Sequence, residues 1–173
     1  MSFQIDLRGK VVLITGVSSG IGLGVARQFA RAGAKVAGCA RKTLDAPCVK
    51  EFMDTVRTEG GEPLYVQTDV SVADELATLV EQVIRTFGRL DILVSNAGQN
   101  VFEGAAGCNE QQWQYNLDLN LASHWRTIRK TKGKCRKERS VSAKNRRAAK
   151  TKRIMETKKK ASEDRIKSDA FCV

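Results

Sequence analysis

Residues 10–22, KVVLITGVSSGIG, join a short continuous apolar run directly to a glycine-rich turn. Six residues without polar alternation fit a strand buried on both faces, as strands of parallel sheets are. The residues after the turn have helical spacing through Val25, Phe29 and Ala32, and Gly33 supplies a stop signal. A tight strand-to-helix turn needs residues without a Cβ, so that the backbone can come close to a phosphate. The helix N-terminus then offers unpaired N–H groups and a positive dipole end to an anion. Gly16, Gly20 and Gly22 are spaced for the turn, the close approach and the helix–strand contact, and Ser18 and Ser19 add hydroxyl donors.

The alternation continues along the chain. KVAGCA (35–40) reads as a second strand, and residues 48–59 as a helix with Phe52, Met53 and Val56 inward. PLYVQT (63–68) is a third strand. The helix ADELATLVEQVIRTF follows, with Leu76, Leu79, Val80, Val83, Ile84 and Phe87 as its buried stripe. RLDILVS (89–95) is a fourth strand. The next helix carries Trp113, Leu117, Leu121, Trp125 and Ile128 at three- and four-residue intervals. Strands and helices in strict alternation imply right-handed crossovers and an α/β fold, a doubly wound parallel sheet covered on both faces.

TGVSSGIG (15–22) resembles the TGxxxGxG cofactor loop of the short-chain dehydrogenase/reductases, and three further elements of that family follow in order. Asp69-Val70 ends the third strand, Asn96-Ala97-Gly98 ends the fourth, and Asn120 lies in the next helix. The resemblance covers residues 1 to about 126. It implies a Rossmann-like domain there and a nicotinamide dinucleotide cofactor. It further implies cofactor contacts from Gly16, Ser18, Ser19, Gly20, Ile21, Gly22, Asp69, Val70, Asn96, Ala97 and Gly98. Asn120 corresponds to the asparagine that supports the family's proton relay, and is the one catalytic candidate. Plain structural roles compete with these: a turn cap for Asp69, a turn pair for Asn96 and Gly98, a solvated helix position for Asn120.

Cofactor preference is expected at the end of the second strand. An acidic residue there would accept hydrogen bonds from the adenine ribose and repel a 2′-phosphate. This chain has Ala40 followed by Arg41 and Lys42. A guanidinium suits a phosphate dianion, so the resemblance points to NADP through Arg41. Ser19, where some members carry a second basic residue, leaves NAD open as well.

The same resemblance exposes a gap. A ketone that accepts hydride also needs a proton, and the family supplies it from a tyrosine activated by a lysine four residues later. The only tyrosines are Tyr65 and Tyr115, followed four residues on by Asp69 and Leu119. No tyrosine occurs among the 53 residues after Asn120. The expectation is a parent activity of alcohol/carbonyl interconversion and a chain that is inactive as written. The sheet is expected to stop at about four strands, leaving LDILVS as an exposed edge.

Charge divides the chain sharply. Residues 1–125 hold 11 Lys and Arg against 14 Asp and Glu, a net of −3. Residues 126–173 hold 19 against 5, a net of +14, with six Leu, Ile, Val or Phe in 48 positions. That apolar content is below the ~20% of chains able to fold. Residues 127–173 are therefore read as a basic tail, unstructured or loosely helical, behind an incomplete domain of residues 1–126. The abrupt change suggests a truncated or frame-shifted product. Two other classes stand beside the oxidoreductase reading: a catalytically silent nucleotide-binding or regulatory module, and a nucleic-acid binder using KTKGKCRKER and KNRRAAKTKR. Without interleaved aromatics the tail offers no base stacking, so nucleic acid ranks below the dinucleotide as a partner. Cys39, Cys48, Cys108, Cys135 and Cys172 lack the close pairing of a zinc site. Five unpaired thiols and the lack of a signal core or membrane span imply a soluble cytoplasmic protein. His124 reads as chemically idle. A homo-oligomer is compatible with the sequence, and the substrate is not legible in it.

Overall fold

Every residue of the first strand is buried, and its side chains alternate between two separate cores. In the computed structural model, which describes residues 5–100 and 107–134, β1 spans Val11–Thr15. Val11 and Leu13 point into one core, Val12 and Ile14 into the other, as a period of two dictates. Helix α1 (Gly20–Arg31) follows, then β2 (Lys35–Ala40), α2 (Pro47–Thr58), β3 (Pro63–Gln67), α3 (Ala73–Phe87) and β4 (Ile92–Val94). The four strands are parallel in the order β3-β2-β1-β4. The fold is the expected Rossmann-like α/β sheet.

Helices α1 and α2 cover one face. Ala26 and Ala30 of α1 and Val49, Phe52 and Val56 of α2 pack on Val12, Ile14, Val36 and Tyr65. The stripe Val25 and Phe29 is only partly buried, because small Ala26 and Ala30 are what let α1 lie close to the sheet. Helix α3 covers the other face with Leu76, Leu79, Val80 and Val83, and Ile84 and Phe87 complete the stripe at its margin. Gly88 closes α3 in a left-handed conformation at φ 74°, which costs a glycine little.

Strand β4 is shorter than the apolar run that announces it. Asp91, just before the strand, bonds Val11 twice: its N–H donates to Val11 O (2.9 Å) while Val11 N–H donates to the Asp91 carboxylate (2.9 Å). Arg89 pairs with the same carboxylate. Burial raises the Asp91 pKa, but the bonds from Arg89 and from Val11 N–H outweigh it and hold the group below its ordinary value. Among the described residues β4 pairs on one side only, with β1.

The last described stretch is one helical rod, α4 (Glu110–Leu117), a π-helical turn (Asp118–Ala122) and α5 (Ser123–Thr131). Asn109 and Gln112 form a reciprocal capping box at its start. Its apolar stripe does not face the sheet: Trp113, Leu121, Trp125 and Ile128 are more than half exposed. The buried side carries Asn116, Leu119, Ser123, Thr127 and Thr131. The hydroxyls of Ser123, Thr127 and Thr131 donate to carbonyls four residues earlier (2.5, 2.7 and 3.0 Å). Satisfied in this way, they can be buried without unpaired polar atoms, and their small size suits close packing against α3. The 126/127 boundary read from charge falls inside α5. A compact unit runs from Met1 to Arg136, and the second unit, Lys137–Val173, lies outside the described residues, as do both basic segments beyond Lys134. No helix among the described residues is long and apolar enough to cross a membrane.

Candidate functional site

The carboxyl ends of the parallel strands open into a cleft of about 400 Å³, where open α/β sheets bind their ligands. The turn after β1 lines it with Gly16, Ser18, Ser19, Gly20, Ile21 and Gly22. Arg41 comes from the end of β2, Asp69 and Val70 from the end of β3, and Asn96, Ala97 and Gly98 from the end of β4. These twelve, singled out from sequence, share one cavity with Cys39, Ala40, Lys42, Thr68, Gln99 and Leu119.

The turn is built by steric exclusion. A Cβ on Gly22 would lie 2.0 Å from Gly16 O, so no side chain fits where α1 meets the turn. A Cβ on Gly16 would lie 2.8 Å from Ala97 Cα, and Gly16 itself has φ 75°. Over Gly20 the space is open, with φ 57° and nothing within 4 Å of where a Cβ would stand, so a ligand can meet bare backbone there. Ser19 precedes α1 without capping it through its side chain, and the first turn carries no acidic residue. The positive end of α1 is thus left for an anion.

Asn96 staples this turn to β4. Its Nδ2 donates to Thr15 O (3.0 Å) and Gly16 O (3.1 Å). In return, the Thr15 hydroxyl oxygen accepts the backbone N–H groups of Asn96 (2.9 Å) and Ala97 (3.0 Å). Thr15, 1% exposed, is the first residue that sequence reasoning passed over. Its place at the head of TGVSSGIG was the available signal.

The β2 wall is held from β3. The Tyr65 hydroxyl lies 2.9 Å from Ala40 O and 2.6 Å from Lys42 O, and Gln67 Nε2 donates to Arg41 O (3.2 Å). Burial pushes the Tyr65 phenol up to about 12, so it is an anchor and not a titrating acid. Burial likewise pushes the Cys39 thiol up to about 12, which keeps it protonated. From this pinned base Arg41 reaches across the cleft: Nη1 donates to Tyr115 Oη (3.1 Å) and Nη2 to Gln99 Oε1 (2.9 Å).

Asp69 does cap its turn, with one carboxylate oxygen accepting Ser71 N–H (2.9 Å) and Ser71 Oγ–H (2.7 Å), while still lining the cleft. Asn120, in the π-helical turn, is solvent-exposed and is not among the residues that line the cleft. Its Oδ1 accepts Gln99 N–H (3.0 Å) and its Nδ2 donates to Gln99 O (2.8 Å). Gly98 makes this approach feasible, since a Cβ there would lie 2.8 Å from Asn120 Oδ1. His124 is not idle structurally: Nδ1 is 2.5 Å from Ser95 Oγ, tying α5 to the end of β4. Gln99 and Tyr115 carry no local motif, and only the folded chain brings them to the cleft.

A sequence profile described as short chain dehydrogenase matches residues 10–139. Hydroxynaphthalene reductase arp2 of Aspergillus fumigatus is 37% identical over 99 residues, which cover 57% of this chain and 36% of that protein. A short-chain type dehydrogenase/reductase of Mycobacterium marinum superposes with a TM-score of 0.70 at 31% identity, over 76% of this chain and 52% of the other. The F189W actinorhodin polyketide ketoreductase with NADPH gives a TM-score of 0.65 at 30% identity, over 75% and 48%. The chain therefore spans about half the length of these solved structures, and about a third of a curated relative such as the Bacillus subtilis oxidoreductase YxnA, at 32%. Strand order, glycine turn and profile agree over the same residues, and the chain belongs to the short-chain dehydrogenase/reductase family.

Proposed function

We propose that this chain binds a nicotinamide dinucleotide in the cleft, prefers NADP, and represents the cofactor-binding half of an alcohol/carbonyl oxidoreductase. One observation carries the reading: Gly20 presents bare backbone to open space at the turn, while Gly16 and Gly22, which admit no Cβ, let that turn pack tightly between α1 and the end of β4. The uncapped, acid-free N-terminus of α1 supports it. Gly16 to Gly22, with Ser18 and Ser19, would hold the pyrophosphate. Asp69 and Val70 would border the adenine, and Asn96, Ala97 and Gly98 the remaining wall. The nicotinamide supplies or accepts the hydride when bound.

Arg41 supports the NADP preference. Its two described partners, Tyr115 and Gln99, are neutral, so its charge is not compensated by them and is available to a 2′-phosphate. The mechanism that these residues support is binding and orientation. The resemblance gives Asn120 the family's relay role, and its amide bonds the Gln99 backbone. The 173 residues contain no YxxxK, so proton donation falls outside them, and these residues by themselves bind without turnover.

Fluorescence titration of the full chain with NADPH and NADH tests the reading. NADPH is expected to bind more tightly, and Arg41→Asp to reverse the order by repelling the phosphate and accepting ribose hydroxyls. Failure to bind either dinucleotide, or an order untouched by Arg41→Asp, would overturn it.

A further inference from the structure

The Arg41 side chain crosses the cleft from wall to wall, and the residues receiving it are held in turn. Arg41 leaves β2 from a base fixed by Gln67 on its own carbonyl and by Tyr65 on the carbonyls either side. Its guanidinium meets Gln99, beyond β4, and Tyr115, on α4. These partners are 58 and 74 residues away in sequence, so the bridge is a product of the tertiary fold. An exposed arginine gains little from adventitious surface contacts and loses much rotamer freedom when it is held. Here the acceptors are themselves ordered. Asn120 grips both the N–H and the carbonyl of Gln99, and Tyr115 packs its ring against the core beneath α3.

The chemistry of the bridge suits recognition of an anion. Both acceptors are uncharged, so the guanidinium is oriented without being neutralised. Of its five N–H donors, two are spent on Tyr115 and Gln99. Among the described residues the other three, including Nε–H, meet no acceptor and are left for a phosphate. A carboxylate in place of either acceptor would hold the arginine equally well but cancel the charge.

We infer that Asn120, Gln99 and Tyr115 are positioning residues that hold the Arg41 guanidinium across the cleft, and that they thereby set the preference for a 2′-phosphorylated dinucleotide. The inference rests on the proposed binding of a dinucleotide in this cleft. It assigns Tyr115 and Gln99 to specificity, and it gives the Asn120 amide a task at the cofactor's adenosine end.

The test is a double-mutant cycle read by binding. Kd values for NADPH and NADH are measured on the full chain, on Tyr115→Phe, on Gln99→Met, and on each of these combined with Arg41→Ala. Each single variant is expected to weaken NADPH roughly 2- to 10-fold, the worth of one lost hydrogen bond, with NADH unchanged. In the Arg41→Ala background both substitutions are expected to be silent. A third variant, Gln99→Glu, keeps the bridge but neutralises it, and is expected to lower NADPH affinity without touching NADH. If Tyr115→Phe and Gln99→Met shift the two dinucleotides equally, shift neither, or retain their effect without Arg41, the inference falls while dinucleotide binding stands. If the unaltered chain binds neither dinucleotide, both fall together.

Discussion

Replacing Gly22 by alanine adds a single methyl group at a point with no room for it. The new Cβ would lie 2.0 Å from Gly16 O, 2.7 Å from Asn96 Nδ2 and 2.8 Å from Gly16 C. Ordinary carbon contacts sit at ~3.5–4.0 Å, and two of these three atoms belong to the backbone of a turn that is itself stapled. The start of α1 must therefore back away by roughly 1.5 Å, breaking the Asn96 bonds to Thr15 and Gly16 or moving β4. The cost belongs at the upper end of the overpacking range, about 3 kcal/mol. Gly24 provides the control, because it lies in the same helix with nothing within 4 Å of a Cβ. There Gly→Ala recovers helix propensity and stabilises by about 0.8 kcal/mol. The two variants differ by two positions and by about 4 kcal/mol, close to 10³-fold in the folding equilibrium. With an m-value of about 2 kcal/mol/M in urea, the midpoint falls by about 1.5 M for Gly22→Ala and rises by about 0.4 M for Gly24→Ala. Urea unfolding followed by circular dichroism reads both. A Gly22→Ala midpoint equal to that of the unaltered chain would refute the steric account of the turn.

Two further outcomes follow from the same geometry. Thr15→Val keeps shape and burial but strands the N–H groups of Asn96 and Ala97; at about 1–3 kcal/mol for each unsatisfied donor, it should destabilise by several kcal/mol in urea titration, whereas Thr15→Ser, which keeps the oxygen, should not. Asp91 has a folded pKa below its ordinary value, so its contribution is complete above the normal carboxylate range and is lost as pH falls through the folded value. The stability difference between the unaltered chain and Asp91→Asn, measured by unfolding from pH 7 downwards, should shrink only below about pH 4; a difference independent of pH would contradict the Arg89 pairing.

Features that need only near neighbours along the chain were legible in the sequence. A buried parallel strand shows itself as an apolar run, and a sheet-facing helix as a stripe such as Leu76, Leu79, Val80 and Val83, because burial on a known face leaves a local period. The glycine turn is legible for a similar reason: the requirement for no Cβ is written at the positions that carry it. Hence all twelve candidate lining residues meet in one cleft.

Tertiary structure alone decided which face of the last rod is buried. Its strong apolar stripe points outward, while back-bonded Ser123, Thr127 and Thr131 lie inside, because the neighbouring helix selects by size and satisfied hydrogen bonds as well as by hydrophobicity. Only the fold, too, joins Thr15 to Asn96 and Arg41 to Gln99 and Tyr115. A hydrogen bond between residues 58 to 81 positions apart leaves no periodic trace, since it depends on where strands end in space and not on what stands next to them in the chain.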